Sequence, residues 1–79
     1  MLDMKIQVIQ EMLSNNPALE ITYFIPDNKK EGGRYETIED SIKKIDNYKQ
    51  QFIMKNGLII DIQEIIDINS DIFKNIRFE

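Results

Sequence analysis

Apolar residues follow two different rhythms along this chain. Near the start, Leu2, Ile6, Ile9 and Leu13 fall at steps of four, three and four, with Met12 on the same side. Such spacing paints one stripe along an amphipathic helix. Lys5, Gln7, Gln10 and Glu11 fill the remaining surface, and Asp3 places a negative charge near the N-terminal end, where the helix dipole favours it. Pro17 disfavours helical geometry at Asn16 and cannot donate the next backbone bond, so the helical segment is expected to end within 1–16. About a dozen residues make a marginal helix alone, so the stripe must dock on something.

From Leu19 onward the rhythm becomes alternation. Leu19, Ile21, Tyr23 and Ile25 share one side of an expected strand that Pro26 stops. Residues 26–33 hold Asp27-Asn28 and Gly32-Gly33, the composition of an exposed turn. A second strand is expected over 35–45, with an irregularity: Ile38 and Ile42 share parity, whereas Ile45 has the opposite one. A bulge near Lys43-Lys44 would return Ile45 to the core side and bend the strand. Asp46-Asn47 reads as a turn, and Tyr48, Phe52 and Met54 as the core side of a strand over 48–54. Asn56-Gly57 then reads as a two-residue hairpin connection with both residues at positive φ. Residues 58–62 make another strand, Gln63-Glu64 a single helical turn, and 65–68 the last strand.

Five short strands with one helical turn before the last are the plan of a small SH3-like or Sm-like barrel, and the leading helix favours the Sm-like variant. The expected class is α+β, mainly β, in one domain over 1–79: a helix in 1–16, a barrel in 18–69 and a tail in 70–79. The tail has two readings. Ser70 or Asp71 caps a short helix carrying Ile72, Phe73 and Ile76, or the segment forms a sixth, partner-dependent strand.

Composition narrows the picture. Seventy-nine residues bury only about 60% of the surface of the unfolded chain, so stability rests on how well the core packs. With no cysteine and no histidine, neither a disulfide nor the usual zinc site is available. Sixteen isoleucines must supply the core, each contributing roughly 1.5–3 kcal/mol when fully buried. Self-association would bury more, which makes a homodimer a candidate state. Ten basic against fourteen acidic residues give a net charge of −4, which disfavours non-specific binding to nucleic acid. No apolar run reaches the roughly 20 residues that span a bilayer, and the N-terminus has no signal-peptide pattern. A cytoplasmic protein that does not engage the membrane is the expectation.

Catalytic candidates are thin. The usual nucleophile–base pairs need Cys or His, and Ser14, Ser41 and Ser70 have no neighbour to activate them. Asp61, Glu64, Asp67 and Asp71 do not follow calcium-loop spacing, and alternate strand positions normally face water. Gly32-Gly33-Arg34 lacks the further glycines, lysine and helix of a phosphate-binding loop. No catalytic, cofactor-binding or metal-binding residue is assigned, and no enzyme is expected. The contact candidates are Phe24, Lys29, Lys30, Arg34 and Tyr35. Phe24, opposite in parity to Tyr23, is either an exposed anchor or lies beneath the helix. Lys29, Lys30, Arg34 and Tyr35 could touch the backbone and stack on a base of a single-stranded nucleic acid, although Asp27, Glu31 and Glu36 offset their charge.

Ile21-Thr22-Tyr23, the Ile42–Asp46 run, the Ile53–Gly57 run, Ile60-Asp61-Ile62 and the Glu64–Ile68 run together carry a resemblance. The segment from Leu19 to about Ile68 resembles the C-terminal part of the YolD-like family, small proteins common in Bacillota and their prophages. Members are often encoded beside a Y-family translesion polymerase and are proposed to stand in for the UmuD-like accessory subunit. The resemblance implies a non-catalytic adaptor in a DNA-damage response, and it carries over no functional residue. Longer members have an N-terminal basic segment containing tryptophan, whereas this sequence has no tryptophan. The leading expectation is a protein-binding module, with a polymerase as its candidate partner. A single-stranded nucleic-acid binder and a phage-encoded inhibitor of a host protein are the alternatives.

Overall fold

A computed structural model describes residues 2–27, 29 and 31–74. Helix α1 (Leu2–Met12) tightens into a 3-10 turn at Leu13–Asn15. Asn16 closes it in the left-handed conformation at φ 50°, donating its N–H to Leu13 O at 3.0 Å. An asparagine tolerates that conformation, and the proline after it prevents any continuation of the helix. The stripe docks as its spacing requires: Ile9 is fully buried, and Ile6 and Leu13 pack against the core.

Six antiparallel strands follow: β1 (Leu19–Pro26), β2 (Gly33–Asp40), β3 (Ile42–Asp46), β4 (Gln51–Met54), β5 (Ile59–Asp61) and β6 (Ile65–Asn69). They form two three-stranded sheets, β2-β1-β6 and β3-β4-β5. Sequence periodicity predicts one bent strand over 35–45, but the chain divides at Ser41 and passes from one sheet to the other. The corner has a visible cause. The Asp40 carboxylate accepts from Ser41 N at 2.8 Å and from Asn56 N at 3.1 Å, while Ser41 O accepts from Lys55 N at 3.0 Å. Backbone bonding thus leaves β1 and transfers to the neighbourhood of β4. Among the described residues no ladder joins the two sheets into a closed cylinder. The expected five-stranded barrel is replaced by two sheets whose inner faces share one core.

The expected bulge is present: the β3–β4 register shifts between Ile42 and Lys44, so Ile42 and Ile45 are both buried. The same device recurs in β6, where Thr22 pairs with Asp67 but Tyr23 pairs with Ile65. Skipping Ile66 turns both Ile65 and Ile68 inward and leaves Ile66 exposed. Seven of the eleven buried apolar side chains among the described residues are isoleucine, so this residue does supply the core.

Two turns differ from expectation. At the β4–β5 hairpin only Gly57 has positive φ, at +95°, and its N–H bonds Met54 O at 3.0 Å. The connection is therefore a three-residue loop over 55–57 with a glycine bulge. Register explains the odd length. Phe52 pairs with Ile60, and both are buried, while Gln51 pairs with Asp61 in the exposed row. A two-residue loop would set Phe52 opposite Asp61 and force one of them onto the wrong face.

The second difference concerns Tyr48. The Asp46 carboxylate accepts from Tyr48 N at 3.1 Å and Lys49 N at 2.9 Å, and Gln50 sits at φ 56°. That turn consumes residues 47–50, delays β4 to Gln51, and leaves Tyr48 95% exposed rather than in the core. The expected helical turn before the last strand is a 3-10 turn at Ile62–Glu64. In the tail, the helical reading holds over its first residues: Ser70 Oγ caps Ile72 N at 3.4 Å at the head of a 3-10 turn, Asp71–Phe73. Ile76 lies outside the described residues.

Candidate functional site

The contact candidates Phe24, Arg34 and Tyr35 gather near the tip of the β1–β2 hairpin, where register brings them together. Phe24 pairs with Tyr35, Ile25 with Arg34 and Pro26 with Gly33. On the outer face the Phe24 and Tyr35 rings meet edge to face, with centroids 5.4 Å apart and planes at 62°. Phe24 is thus half-buried, its ring against that of Tyr35, and Tyr35 stays 65% exposed. The two tip glycines differ in role. Gly32 takes φ +101° in open space, whereas Gly33 lies against Phe24 and the β1 backbone. A Cβ on Gly33 would stand 2.6 Å from Phe24 Cζ and 2.9 Å from Pro26 Cα, and closer still to Ile25 O. The sequence marks Gly32-Gly33 as part of an exposed turn; only the second glycine answers a packing demand.

Charge at the tip is balanced rather than basic. Arg34 Nε lies 3.6 Å from Glu36 Oε1, both groups well exposed. The Asp27 carboxylate accepts from Lys29 N at 2.8 Å, and Asp27 N donates to Gly32 O at 3.1 Å, which closes the loop. Lys29 is exposed, and Lys30 lies outside the described residues. A cleft of about 400 Å³ runs along Ile25, Pro26, Asp27, Lys29, Gly33 and Arg34. It offers two cations and one carboxylate, and no nucleophile with an adjacent base. Deeper on the inner face, Tyr23 Oη donates to Glu36 Oε2 at 3.4 Å. Burial, then the Glu36 charge, pushes the Tyr23 phenol above its ordinary value.

A second polar centre joins helix to sheet, and nothing in the sequence pattern announced it. Lys5 Nζ donates to Asp67 Oδ1 at 3.0 Å and to Ile68 O at 2.7 Å, and stands 5.4 Å from the centre of the Phe73 ring. The lysine bond holds the Asp67 carboxyl below its ordinary value. The acidic series does not converge. Asp61 accepts from Gln51 Nε2 at 3.0 Å, Asp67 is taken by Lys5, and Asp71 pairs with Lys74 at 3.2 Å. Among the described residues no three acidic side chains come together to hold a metal ion.

The free strand edges are a further feature of chemical interest, and their polarity can be worked out. The Asp27 N to Gly32 O bond extends the β1–β2 ladder, so Gly32, and with it every even position of β2, turns its backbone toward β1. Tyr35, Thr37 and Glu39 therefore present N–H and C=O outward, on a strand whose far side carries no partner among the described residues. All three are exposed. Other edges are blunted. At β6 the outward groups of Ile68 are taken by Asp67 Oδ1 and Lys5 Nζ. Strand β3 carries the bulge with Lys43 and Lys44, and β5 is three residues long.

These features define a small α+β domain, mainly antiparallel β, with one long open sheet edge. No family model, curated protein or solved structure matches the chain. Among the described residues no helix is long and apolar enough to cross a membrane.

Proposed function

We propose that this protein is a non-enzymatic, cytoplasmic protein-binding module that accepts a partner's extended segment along β2. The observation that carries this reading is the eight-residue β2 edge, open where the other edges are short, bulged or capped. An edge of this kind supplies main-chain hydrogen bonds to an incoming strand, and alternate side chains set its specificity. Tyr35, beside Phe24 and Arg34, offers an anchor at one end of that edge.

The resemblance to YolD-like proteins points to a Y-family DNA polymerase as the partner, in a DNA-damage response. Capture on the tagged protein from cells treated with a DNA-damaging agent should recover such a polymerase, and Thr37→Pro should abolish that recovery. Recovery of no specific partner would refute the reading. Exposure of Tyr35 next to Arg34 and Lys29 favours the nucleic-acid alternative, and the pairing of Arg34 with Glu36 opposes it. Binding of a single-stranded oligonucleotide at low salt, lost on replacing Lys29 and Arg34 with alanine, would move the conclusion there.

A further inference from the structure

We infer that β2 also pairs with β2 of a second copy of this chain, antiparallel about a two-fold axis through Thr37. The inference rests on the same open edge as the proposed function but specifies a different occupant, argued from charge and register.

Two identical antiparallel strands related by an axis normal to the sheet must pair positions of like parity, because the axis maps each face onto itself. The outward backbone groups belong to odd positions, so an odd residue must occupy one of the hydrogen-bonded pairs. Every register centred on a residue satisfies both conditions, so charge and the length of paired strand must separate them. Centring on Glu36 sets that carboxylate against its own copy, and centring on Ile38 sets Glu36 against Asp40; like charges directly opposite are destabilising. Centring on Tyr35 confines the pairing within β2 to residues 33–37.

Centring on Thr37 keeps residues 34–40 paired, all within β2. Arg34 then faces Asp40, Tyr35 faces Glu39, and Glu36 faces Ile38. The Asp40 carboxylate already accepts from Ser41 N and Asn56 N, yet its oxygens have capacity for a guanidinium as well. Thr37, whose Oγ1 lies 2.9 Å from Thr22 Oγ1, would continue that hydroxyl row across the axis. The result is a six-stranded sheet, β6-β1-β2 joined to its copy. One edge pairing is a small interface, so the dimer is weak.

Sedimentation equilibrium on the full chain, from about 10 μM to about 1 mM, reads this directly. The apparent mass should climb from 9.4 kDa toward twice that value. Thr37→Pro should stay monomeric with an unchanged far-UV spectrum, because the lost N–H points away from β1. The chain has no cysteine, so single Thr37→Cys, Tyr35→Cys and Glu36→Cys variants, mildly oxidised, report the register without relying on proline. Facing Cα atoms about 5.5 Å apart suit a disulfide, and cross-linking should be strongest at position 37. A wild type that stays monomeric at the highest concentration overturns the inference, as does strongest cross-linking at 35 or 36, or dimerisation by a folded Thr37→Pro. Partner capture that persists while the protein is monomeric would overturn self-pairing alone and leave the proposed function standing.

Discussion

Replacing Lys5 with methionine should weaken the attachment of the helix while keeping most of its packing. The methionine preserves an unbranched apolar stem and deletes one ammonium that serves three groups: the Asp67 carboxylate, Ile68 O and the Phe73 ring. The ion pair is half in water, with Asp67 52% exposed, so it is worth about 0.5–1 kcal/mol. The Ile68 carbonyl loses a charged donor in a part-buried position, at a cost of about 1 kcal/mol. The ring contact adds about 0.5 kcal/mol. Together the loss is roughly 2 kcal/mol, or about 8–16 °C in Tm for a domain of this size.

Urea unfolding followed by far-UV circular dichroism measures that loss, and pH provides an independent signature. Lys5 holds the Asp67 carboxyl below its ordinary 3.8. A group with a lowered native pKa contributes stability that is present above its unfolded value and fades as pH falls through the native one. Wild type should therefore lose this contribution on acidification below about pH 4, and Lys5→Met should lack that part of the slope. A variant within 0.5 kcal/mol of wild type at neutral pH, with the same acid slope, would refute the argument that Lys5 ties helix to sheet.

Other outcomes follow from the same geometry. Phe52 is fully buried whereas Tyr48 is 95% exposed, so Phe52→Ala should cost about 3–5 kcal/mol and Tyr48→Ser less than about 0.5 kcal/mol in urea unfolding. Gly33→Ala should destabilise by about 1–3 kcal/mol through overpacking against Phe24 and the β1 backbone, and near-ultraviolet dichroism should show the aromatic pair disturbed. The Tyr23 phenol is raised above its ordinary 10.0 by burial and then by Glu36. Its contribution to stability is complete below that pH and is lost as pH rises through the native value, so alkaline unfolding should be delayed in Tyr23→Phe.

Much of this fold is legible in the sequence, for identifiable reasons. The four-three-four spacing of the first isoleucines and leucines, closed by Asn16-Pro17, specified a docked helix, and Ile9 is its buried centre. The parity conflict between Ile42 and Ile45 demanded a bulge, and one is there. The same conflict between Ile65 and Ile68 is equally readable, and it too is settled by a bulge. Turn chemistry was less transparent. Asn56-Gly57 signals a hairpin, but its loop length follows from which side chains of the two strands must face each other. Asp46 signals a turn, yet how far that turn runs depends on side-chain bonds to Tyr48 N and Lys49 N.

The candidate site divides in the same way. Sequence alone singled out Phe24, Lys29, Lys30, Arg34 and Tyr35, because parity and turn composition are local properties. The edge-to-face pairing of Phe24 with Tyr35, and the approach of Phe24 to Gly33, required the register of β1 against β2. The Lys5 centre spans 62 residues of chain, beyond any periodicity. Which strand edge stays open was likewise decided in three dimensions. Backbone groups are the same at every position, and only the placement of β1, α1 and Asp67 determines which of them are already bonded. Local pattern sets what each segment is; the distribution of unpaired hydrogen-bonding groups is a property of the assembled chain.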